Sequence, residues 1–189
     1  MASNKKIYKI FFAIIILHSF NVCHSMTDEF NVLKKENKFE IFAKFKSFAN
    51  VCSAWRLITS YEDLPSFLPK MISSKILINE GNKKVVKQVF KDSFFIFPFY
   101  LNNNFLVTEL ESEKKITVKL LSGNLNDYRA NWQITKLKGL TIITIYAQIT
   151  PTKTQSVFIS DKRIRDHFNE MILSLKNKLN SLNHAHGCR

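Results

Sequence analysis

The sequence predicts an α+β fold in which a curved antiparallel sheet of about six or seven strands wraps around a long C-terminal helix. Between residues 71 and 152, short segments of alternating apolar and polar residues are joined by brief turns, which indicates antiparallel neighbours. After Ser160, apolar residues recur every three or four positions for about six turns, which indicates one amphipathic helix. The apolar face of an open sheet needs such a helix to cover it.

The first predicted elements are a strand and a helix. In residues 39–46, Ile41, Ala43 and Phe45 share one side of an alternating pattern that is typical of a half-buried strand. Asn50 has the side chain of an N-cap, and the residues after it have helical spacing. The apolar residues of this helix are Val51, Ala54, Trp55 and Ile58. Pro65 and Pro69 then break the chain into short turns.

The sheet follows as a series of strands separated by turn residues. The predicted strands are residues 74–79, 84–92, 105–111, 115–120, 129–136 and 140–150, with a dense aromatic stretch at 94–101. In the clearest of them, Ile116, Val118 and Leu120 face inward. Ala130, Trp132 and Ile134 share a face in the next one.

The last helix is capped by Ser160 and carries one continuous apolar stripe. The stripe consists of Ile164, Phe168, Met171, Ile172, Leu175, Leu179 and Leu182. Basic residues lie mostly off this stripe, which predicts that the helix packs on the sheet and leaves its charges in water.

The N-terminal segment predicts export. Lys5, Lys6 and Lys9 precede an apolar run at residues 10–17, and Cys23 and Ser25 are small residues at the expected cleavage point. This order is typical of a secretory signal peptide at residues 1–25, so we expect a periplasmic or secreted protein. Retention of the segment as a membrane anchor stays open. Residues 26–37 are then a polar leader, residues 38–183 one domain, and residues 184–189 a polar tail.

Charge and cysteine content leave further alternatives. Removal of three lysines with the signal peptide lowers the formal charge from +13 to +10. This excess of lysine and arginine would favour anionic lipid head groups or nucleic acid. Export argues against nucleic acid, so an anionic membrane surface is the expected macromolecular partner. Cys52 and Cys188 would remain after cleavage, either as a disulfide bond or as separate thiols.

The stretch from Ala54-Trp55 through Phe67-Leu68-Pro69 to Ser73-Ser74 resembles the START-like helix-grip superfamily, also called SRPBCC or Bet v 1-like. The resemblance is closest to the coenzyme-Q-binding START or polyketide cyclase/dehydrase family. Later parts of the chain add to it in the expected order: Gln88, the aromatic residues 94–99, Ser122-Gly123-Asn124-Leu125, Trp132, and Gly139-Leu140-Thr141 with Tyr146. The resemblance implies the order β-α-α-β-β-β-β-β-β-α and a cavity for a hydrophobic ligand between the sheet and the last helix.

Catalytic and metal-binding motifs are not found in the sequence. Neither a glycine-rich phosphate loop nor a His-Glu-x-x-His or Gly-x-Ser-x-Gly motif occurs, and no cofactor is expected. His167 is the one histidine in a predicted folded element, either as a partly exposed helix residue or as a donor to a ligand carbonyl. Glu109, Glu111 and Glu113 alternate along one strand, which predicts a solvated outer face.

The candidate ligand-binding residues are mostly aromatic. They are Trp55, Phe67, Gln88, Phe90, Phe97, Phe99, Phe105, Trp132, Tyr146, Phe168 and Met171. Each could also be a core residue; together they could line a cavity on the order of several hundred Å³. Arg129 and Asn131 are additional polar candidates. A shift of one residue reverses the facing of a whole strand, so the facing of these residues stays open.

Three functions are compatible with these features. The first is an exported domain that binds a quinone, a lipid or a polyketide-like molecule by burying it. The second is a cyclase or dehydratase whose acid or base is Tyr146, His167 or an inward carboxylate. The third is a basic adaptor at the cell envelope with a filled core and no ligand.

Overall fold

The computed structural model describes residues 28–94, 97–157 and 159–182. The predicted signal peptide, the predicted tail and the side chain of Phe97 lie outside the described part, as do Cys23 and Cys188. The strands are β1 (Glu29–Lys35), β2 (Lys38–Ser47), β3 (Met71–Glu80), β4 (Lys83–Phe94), β5 (Phe97–Leu110), β6 (Lys115–Gly123), β7 (Asp127–Leu137) and β8 (Leu140–Thr150). The helices are α1 (Val51–Thr59), α2 (Lys153–Ser156) and α3 (Asp161–Ser181), with 3₁₀ helices at Tyr61–Ser66 and Glu111–Glu113.

These eight strands form one antiparallel sheet in the order β1-β2-β8-β7-β6-β5-β4-β3. The α+β class and the long C-terminal helix that the sequence predicts are therefore confirmed. A crossover places β2 beside β8, and the other neighbours follow one another in the chain. Because α1 and the first 3₁₀ helix lie between β2 and β3, which are far apart in the sheet, they connect its two ends.

β1 is the strand that the sequence analysis missed. Residues 26–37 were predicted to be a loose leader, but Glu29–Lys35 pairs with β2 along its whole length. Phe30 and Val32 alternate with polar residues, and Val32 is buried beneath α3. The Arg165 side chain of α3 donates a hydrogen bond to the Val32 carbonyl at 3.2 Å. Two inward-facing apolar side chains were too few to indicate a strand, and it is the contact with α3 that stabilises it.

The ends of α1 and α3 are fixed by side chains that the sequence indicates. Asn50 Oδ1 accepts from the Ser53 backbone N–H at 2.7 Å, and Ser160 Oγ accepts from that of Arg163 at 3.3 Å. Both predicted N-caps are confirmed, and such caps stabilise a helix by about 1 kcal/mol each. At the other end of α3, the Ser47 hydroxyl donates to Asn180 Oδ1 at 2.9 Å. This contact holds the end of α3 against the end of β2.

The predicted stripe of α3 faces the sheet and divides the core into two parts. Leu175 and Leu179 pack with α1 and the Tyr61–Ser66 helix, whereas Ile164 and Phe168 pack with the β1–β2 end of the sheet. Met171 contacts both parts. Because α3 crosses the sheet in this way, space left between the two parts lies directly under Met171.

Glu109 was predicted to lie on a solvated face, and this is wrong. It shares the inner face of β5 with Phe105 and Val107, and its side chain is only 13% exposed. The strand ends at Leu110, and Glu111–Glu113 turns as a 3₁₀ helix, so the alternation does not continue through the three glutamates. None of the helices in residues 28–94, 97–157 and 159–182 is both long and apolar enough to cross a membrane.

Candidate functional site

Two adjoining cavities lie between the sheet and α3. One has a volume of about 100 Å³ and the other of about 110 Å³. They share the lining residues Gln88, Phe90, Phe105, Tyr128 and Met171. These five residues form the boundary that the two spaces have in common. Each cavity is therefore smaller than the single space of several hundred Å³ that the sequence analysis allowed.

The first cavity, which we call the α1 lobe, is closed by α1, the first 3₁₀ helix and the middle of the sheet. Its remaining lining residues are Ile58, Tyr61, Leu64, Leu68, Met71, Val107, Ile116, Val118, Trp132 and Leu175. None of these described lining residues carries a charge. The α1 lobe is thus an apolar space with polar groups at its wall from Tyr61, Gln88 and Tyr128.

The second cavity, which we call the α3 lobe, lies under the first half of α3. Its remaining lining residues are Phe99, Leu101, Asn103, Leu125, Ile149, Ile159, Arg163, Ile164, His167 and Phe168. Arg163 and His167 are four residues apart, so they project from the same side of the helix. The His167 ring meets the Phe90 and Phe168 rings edge-on, with centroids 5.9 Å and 5.7 Å away. The α3 lobe is therefore the more polar of the two.

Tyr128 is a polar side chain in the wall that the two lobes share. Its ring packs edge-on against Phe105 at 5.2 Å, and the surface it exposes lines both lobes. Burial raises the pKa of Tyr128 to about 12. Its hydroxyl is therefore neutral at physiological pH and can both donate a hydrogen bond to a ligand and accept one from it.

Tyr61 is held by a partly buried ion pair beside the α1 lobe. Its hydroxyl donates to Glu109 Oε1 at 2.7 Å, and Lys84 Nζ lies 2.7 Å from Glu109 Oε2. Burial, and then the hydrogen bond to the Glu109 carboxylate, raises the pKa of Tyr61 well above its ordinary range. This hydroxyl is therefore committed to Glu109, and the network ties the 3₁₀ helix to β4 and β5.

Asn103 forms the polar corner of the α3 lobe. Its side chain is buried, and its Oδ1 accepts from the backbone N–H groups of Asn124 and Leu125 at 2.9 Å and 3.4 Å. Gly123 makes this approach feasible, because an added Cβ would overlap with Asn103 Oδ1. Its φ of +147° is a conformation that residues with a Cβ rarely adopt.

Seven of the eleven predicted ligand-binding residues line the lobes. They are Gln88, Phe90, Phe99, Phe105, Trp132, Phe168 and Met171. Trp55 is buried in the core with Lys114 Nζ 5.0 Å from its ring, and Phe67 packs half-buried against the same core. Neither Trp55 nor Phe67 lines a lobe. The role of the seven in binding a ligand stays a prediction.

Tyr146, Arg129 and Asn131 were candidates for contact with a ligand, and the structure places all three on the outer face of the sheet instead. On β8, Ile145 and Ala147 are buried, so Tyr146 between them points outward and is 43% exposed. Arg129 and Asn131 likewise lie on the outer face of β7, and Arg129 Nε pairs with Asp127 at 3.0 Å. The error is one residue of strand parity in each case.

Tyr128, Tyr61 and Arg163 line the lobes but were not predicted to do so. Tyr128 has the same parity as Ala130 and Trp132, which the sequence did place on one face, so the signal for it was present. Arg163 directly precedes Ile164, the first residue of the apolar stripe, and the basic residues were expected to lie mostly off that stripe. Tyr61 lies in a 3₁₀ helix of six residues. A segment this short does not show a periodic pattern in the sequence.

The family described as "Polyketide cyclase / dehydrase and lipid transport" matches residues 49–169, from the loop before α1 to the middle of α3. The chain belongs to this family. The matched residues include almost all of the lining of both lobes. No curated protein is significantly similar to the chain in sequence.

Solved structures show the same fold at low sequence identity. TTHA0849 from Thermus thermophilus has a TM-score of 0.67 at 13% identity, covering 76% of this chain and 99% of that one. The Zhui aromatase/cyclase from Streptomyces sp. R1128 has a TM-score of 0.60 at 8% identity, covering 80% and 99%. The STAR-related lipid transfer protein from Xanthomonas axonopodis has a TM-score of 0.57 at 8% identity, covering 79% and 98%. These neighbours establish the START-like helix-grip fold.

The described lining residues of the lobes do not include a cluster of metal ligands. Within residues 28–94, 97–157 and 159–182, no three His, Cys, Asp or Glu side chains come together as a set that could hold a metal ion. What the lobes offer instead is apolar surface, neutral hydrogen-bonding groups, one guanidinium and one imidazole. This set of groups can bind and orient an apolar molecule that carries a polar end.

Proposed function

We propose that the chain is an exported protein that binds a hydrophobic small molecule, such as a quinone, a lipid or a polyketide-like molecule, in the α1 and α3 lobes. The observation that carries the proposal is the pair of adjoining spaces lined by aromatic and aliphatic side chains. Protein interiors are otherwise packed as densely as organic crystals, so such spaces under a core helix are unusual. The family description, which includes lipid transport, supports the same class of ligand.

The ligand is bound because its apolar surface leaves water. Burial contributes about 25 cal/mol per Å² of apolar surface, so a bicyclic aromatic molecule gains several kcal/mol. A cavity of about 150 Å³ accommodates benzene, which is comparable to either lobe alone. A larger ligand must therefore occupy both lobes and displace the flexible Met171 side chain from between them. The segment Phe67-Leu68-Pro69 and α3 are the elements that would admit it.

Export is supported by the N-terminal sequence and by one feature of α1. Residues 1–25 have the order of a secretory signal peptide. Cys52 takes part in a disulfide bond. Disulfide bonds form and persist mainly in the periplasm and outside the cell. Intact mass spectrometry after cell fractionation tests export. A protein in the periplasm or medium whose mass equals that of residues 26–189 supports export, and a full-length protein in the cytoplasm contradicts it.

Native mass spectrometry of the protein from its own compartment tests the binding function. We expect a mass above that of the polypeptide which disappears on denaturation, and solvent extraction should release the same molecule. The matched control is the chain refolded after extraction, which should regain the mass when the extract is returned. A bare polypeptide that also fails to take up any of a panel of quinones, lipids and aromatic ligands would refute the function.

An enzymatic function is the second candidate, because two titratable groups face the lobes. His167 and Tyr128 both line the α3 lobe, whereas Tyr146, the other group predicted for this role, is on the outer surface. Cyclisation or dehydration of a polyketide-like chain would need one of them as acid or base. Turnover of a poly-β-ketone mimic that is lost in His167→Gln, with binding retained, would support this candidate. Unchanged product formation in His167→Gln and Tyr128→Phe would exclude both groups.

Association with an anionic membrane surface is a further part of the proposal. The formal charge is +13 for the full chain and +10 without residues 1–25, which is still a large excess of lysine and arginine. Each basic residue near an anionic leaflet contributes about 1 kcal/mol. Sedimentation with vesicles containing anionic lipid, lost at high salt, would support it, and equal binding to neutral vesicles would contradict it. The adaptor alternative predicts a core without a cavity, and the two lobes argue against it.

A further inference from the structure

The two lobes differ in polarity, and this difference points to the class of the ligand. Resting on the proposed function, we infer that the ligand is an amphiphilic carboxylate whose carboxylate lies in the α3 lobe against Arg163 and His167. Its apolar body extends past Met171 into the α1 lobe.

The charges of the described lining residues are all of one sign. Among them, Arg163 is the one permanently charged side chain, and His167 is the one other group that can become cationic. Neither lobe has an aspartate or a glutamate among its described lining residues. A guanidinium at the wall of an apolar space favours an anion, because it can donate two parallel hydrogen bonds to a carboxylate.

The position of Arg163 on α3 strengthens this preference. It is the third residue of a 21-residue helix, so it lies in the first turn, where the helix dipole also favours negative charge. His167 is one turn further along the same side, and its ring is held between Phe90 and Phe168. The two side chains thus form one polar strip along the wall of the α3 lobe.

The sheet side of the α3 lobe adds donors. Because Asn103 Oδ1 accepts two backbone N–H groups, its amide hydrogens are the part of the side chain left for a ligand. Gln88 Nε2 lies 3.5 Å from Ser74 Oγ, and Gln88 lines both lobes. The amide groups of Asn103 and Gln88 on the sheet therefore line the same lobe as the polar strip of α3.

The α1 lobe suits the opposite end of the molecule. Its described lining residues are all uncharged, and its Tyr61 hydroxyl is already bonded to Glu109. A ligand with its carboxylate in this lobe would bury a charge without a cationic partner, which is strongly unfavourable. The orientation of the ligand is fixed by this asymmetry, with the apolar body under α1 and the acid under α3.

Isothermal titration calorimetry with a matched pair of probes tests the inference. The probes are 2-naphthoate and 2-naphthylmethanol, which differ in charge but little in shape. We expect the ligand-free protein to bind the acid at least about tenfold more tightly than the alcohol at neutral pH. Arg163→Met, which keeps an unbranched apolar stem but removes the guanidinium and its charge, should abolish that preference while changing alcohol affinity less than about threefold.

Lys162→Met is the control. It removes the same charge from the same turn of α3, but Lys162 is exposed and pairs with Asp166 outside the lobe. Acid affinity should be unchanged in this variant. Equal binding of acid and alcohol by the native protein, or an equal loss in Arg163→Met and Lys162→Met, would overturn the inference and leave the proposed function intact. Failure of both probes to bind would overturn the proposed function as well.

Discussion

Filling the α1 lobe should remove ligand binding without unfolding the protein. Val118 lies on β6, is half-buried and lines this lobe from the sheet. Val118→Phe adds a ring at a point where the chain leaves about 100 Å³ unoccupied. The new ring would project towards the position that we assign to the apolar body of the ligand. Binding of an apolar probe and stability should therefore respond differently to this substitution.

The two effects can be given magnitudes. At about 0.8 kcal/mol for each carbon buried, the roughly four added carbons contribute about 3 kcal/mol to stability. Strain from filling an imperfectly shaped space costs about 1–3 kcal/mol. The free energy of unfolding should therefore change by no more than about 2 kcal/mol in either direction. The affinity for 2-naphthylmethanol should fall by at least about tenfold, because the ring and the probe compete for the same volume.

Urea denaturation and calorimetry measure the two quantities on the same protein. Leu121→Phe is the matched control, since Leu121 is on the same strand, is 51% exposed and lines neither lobe. It should change neither stability nor affinity appreciably. Affinity that is unchanged in Val118→Phe would show that the α1 lobe does not hold the ligand. A destabilisation above about 4 kcal/mol would show that the lobe cannot accept a ring, and the smaller Val118→Leu substitution would then be used.

Three further predictions concern the walls of the lobes. Gly123→Ala should lower the free energy of unfolding by at least about 2 kcal/mol, because its Cβ would collide with Asn103; a smaller loss by urea denaturation would contradict the contact. Tyr61→Phe should cost about 1.5–3 kcal/mol by the same measurement, since it removes a hydrogen bond to the Glu109 carboxylate, and a loss below about 0.5 kcal/mol would mean that this bond is not made. Burial raises the pKa of Tyr128 to about 12 from 10.0, so the folded chain keeps a proton that the unfolded chain loses. This contribution is complete below about pH 10 and is lost between about pH 10 and pH 12, a fall of roughly 2–3 kcal/mol. Stability of Tyr128→Phe should fall less over that interval, and parallel curves for the two proteins would refute the assignment.

The sequence predicted the fold well where periodic patterns are long. The helix α3 is 21 residues long and its apolar stripe begins in the first turn, and the alternation on β2 places every second residue of the strand in the core. One misplaced residue cannot change such a pattern. β1 shows the opposite case, because its two inward-facing apolar side chains, Phe30 and Val32, are informative only once α3 lies across them. The strand is stabilised by contacts between residues that are distant in the chain, such as that of Val32 with Arg165, 133 positions apart.

Candidate site residues were predicted correctly by chemical type and less well by facing. Phe90, Phe99 and Phe105 of β4 and β5 line the lobes, as the abundance of phenylalanine suggested. The errors at Tyr146 and Arg129 arose because a polar side chain was chosen for its chemistry rather than for the parity of its buried neighbours. Glu109 was assigned to the outer face because it alternates with Glu111 and Glu113 in the sequence. The strand ends at Leu110, so the three glutamates do not share a face. Applied consistently, the parity of Ala130 and Trp132 would have favoured Tyr128.

The size and division of the cavity could not be read from the chain. A lobe is the volume that side chains leave unfilled, and it depends on how Phe90, Phe105 and Met171 pack against one another. Patterns of hydrophobicity indicate which residues are inside; they do not indicate how completely those residues fill the interior.

The groups that face the lobes also bear on the choice between a binding protein and an enzyme. A general acid or base works best when its pKa is near the working pH, and burial moves the pKa of Tyr128 away from that range. The pKa of Tyr61 is displaced in the same direction, and its hydroxyl is bonded to Glu109. Of the ionisable side chains in the described lining, His167 is the one whose residue type most often serves as a general acid or base. A single acid–base group typically contributes about 10²–10⁴-fold to a rate, so a cyclase built on these lobes would depend mainly on how they fold the substrate. Binding and orientation are therefore the primary property of the cavity under either function, and any chemistry would be added to it through one residue of α3.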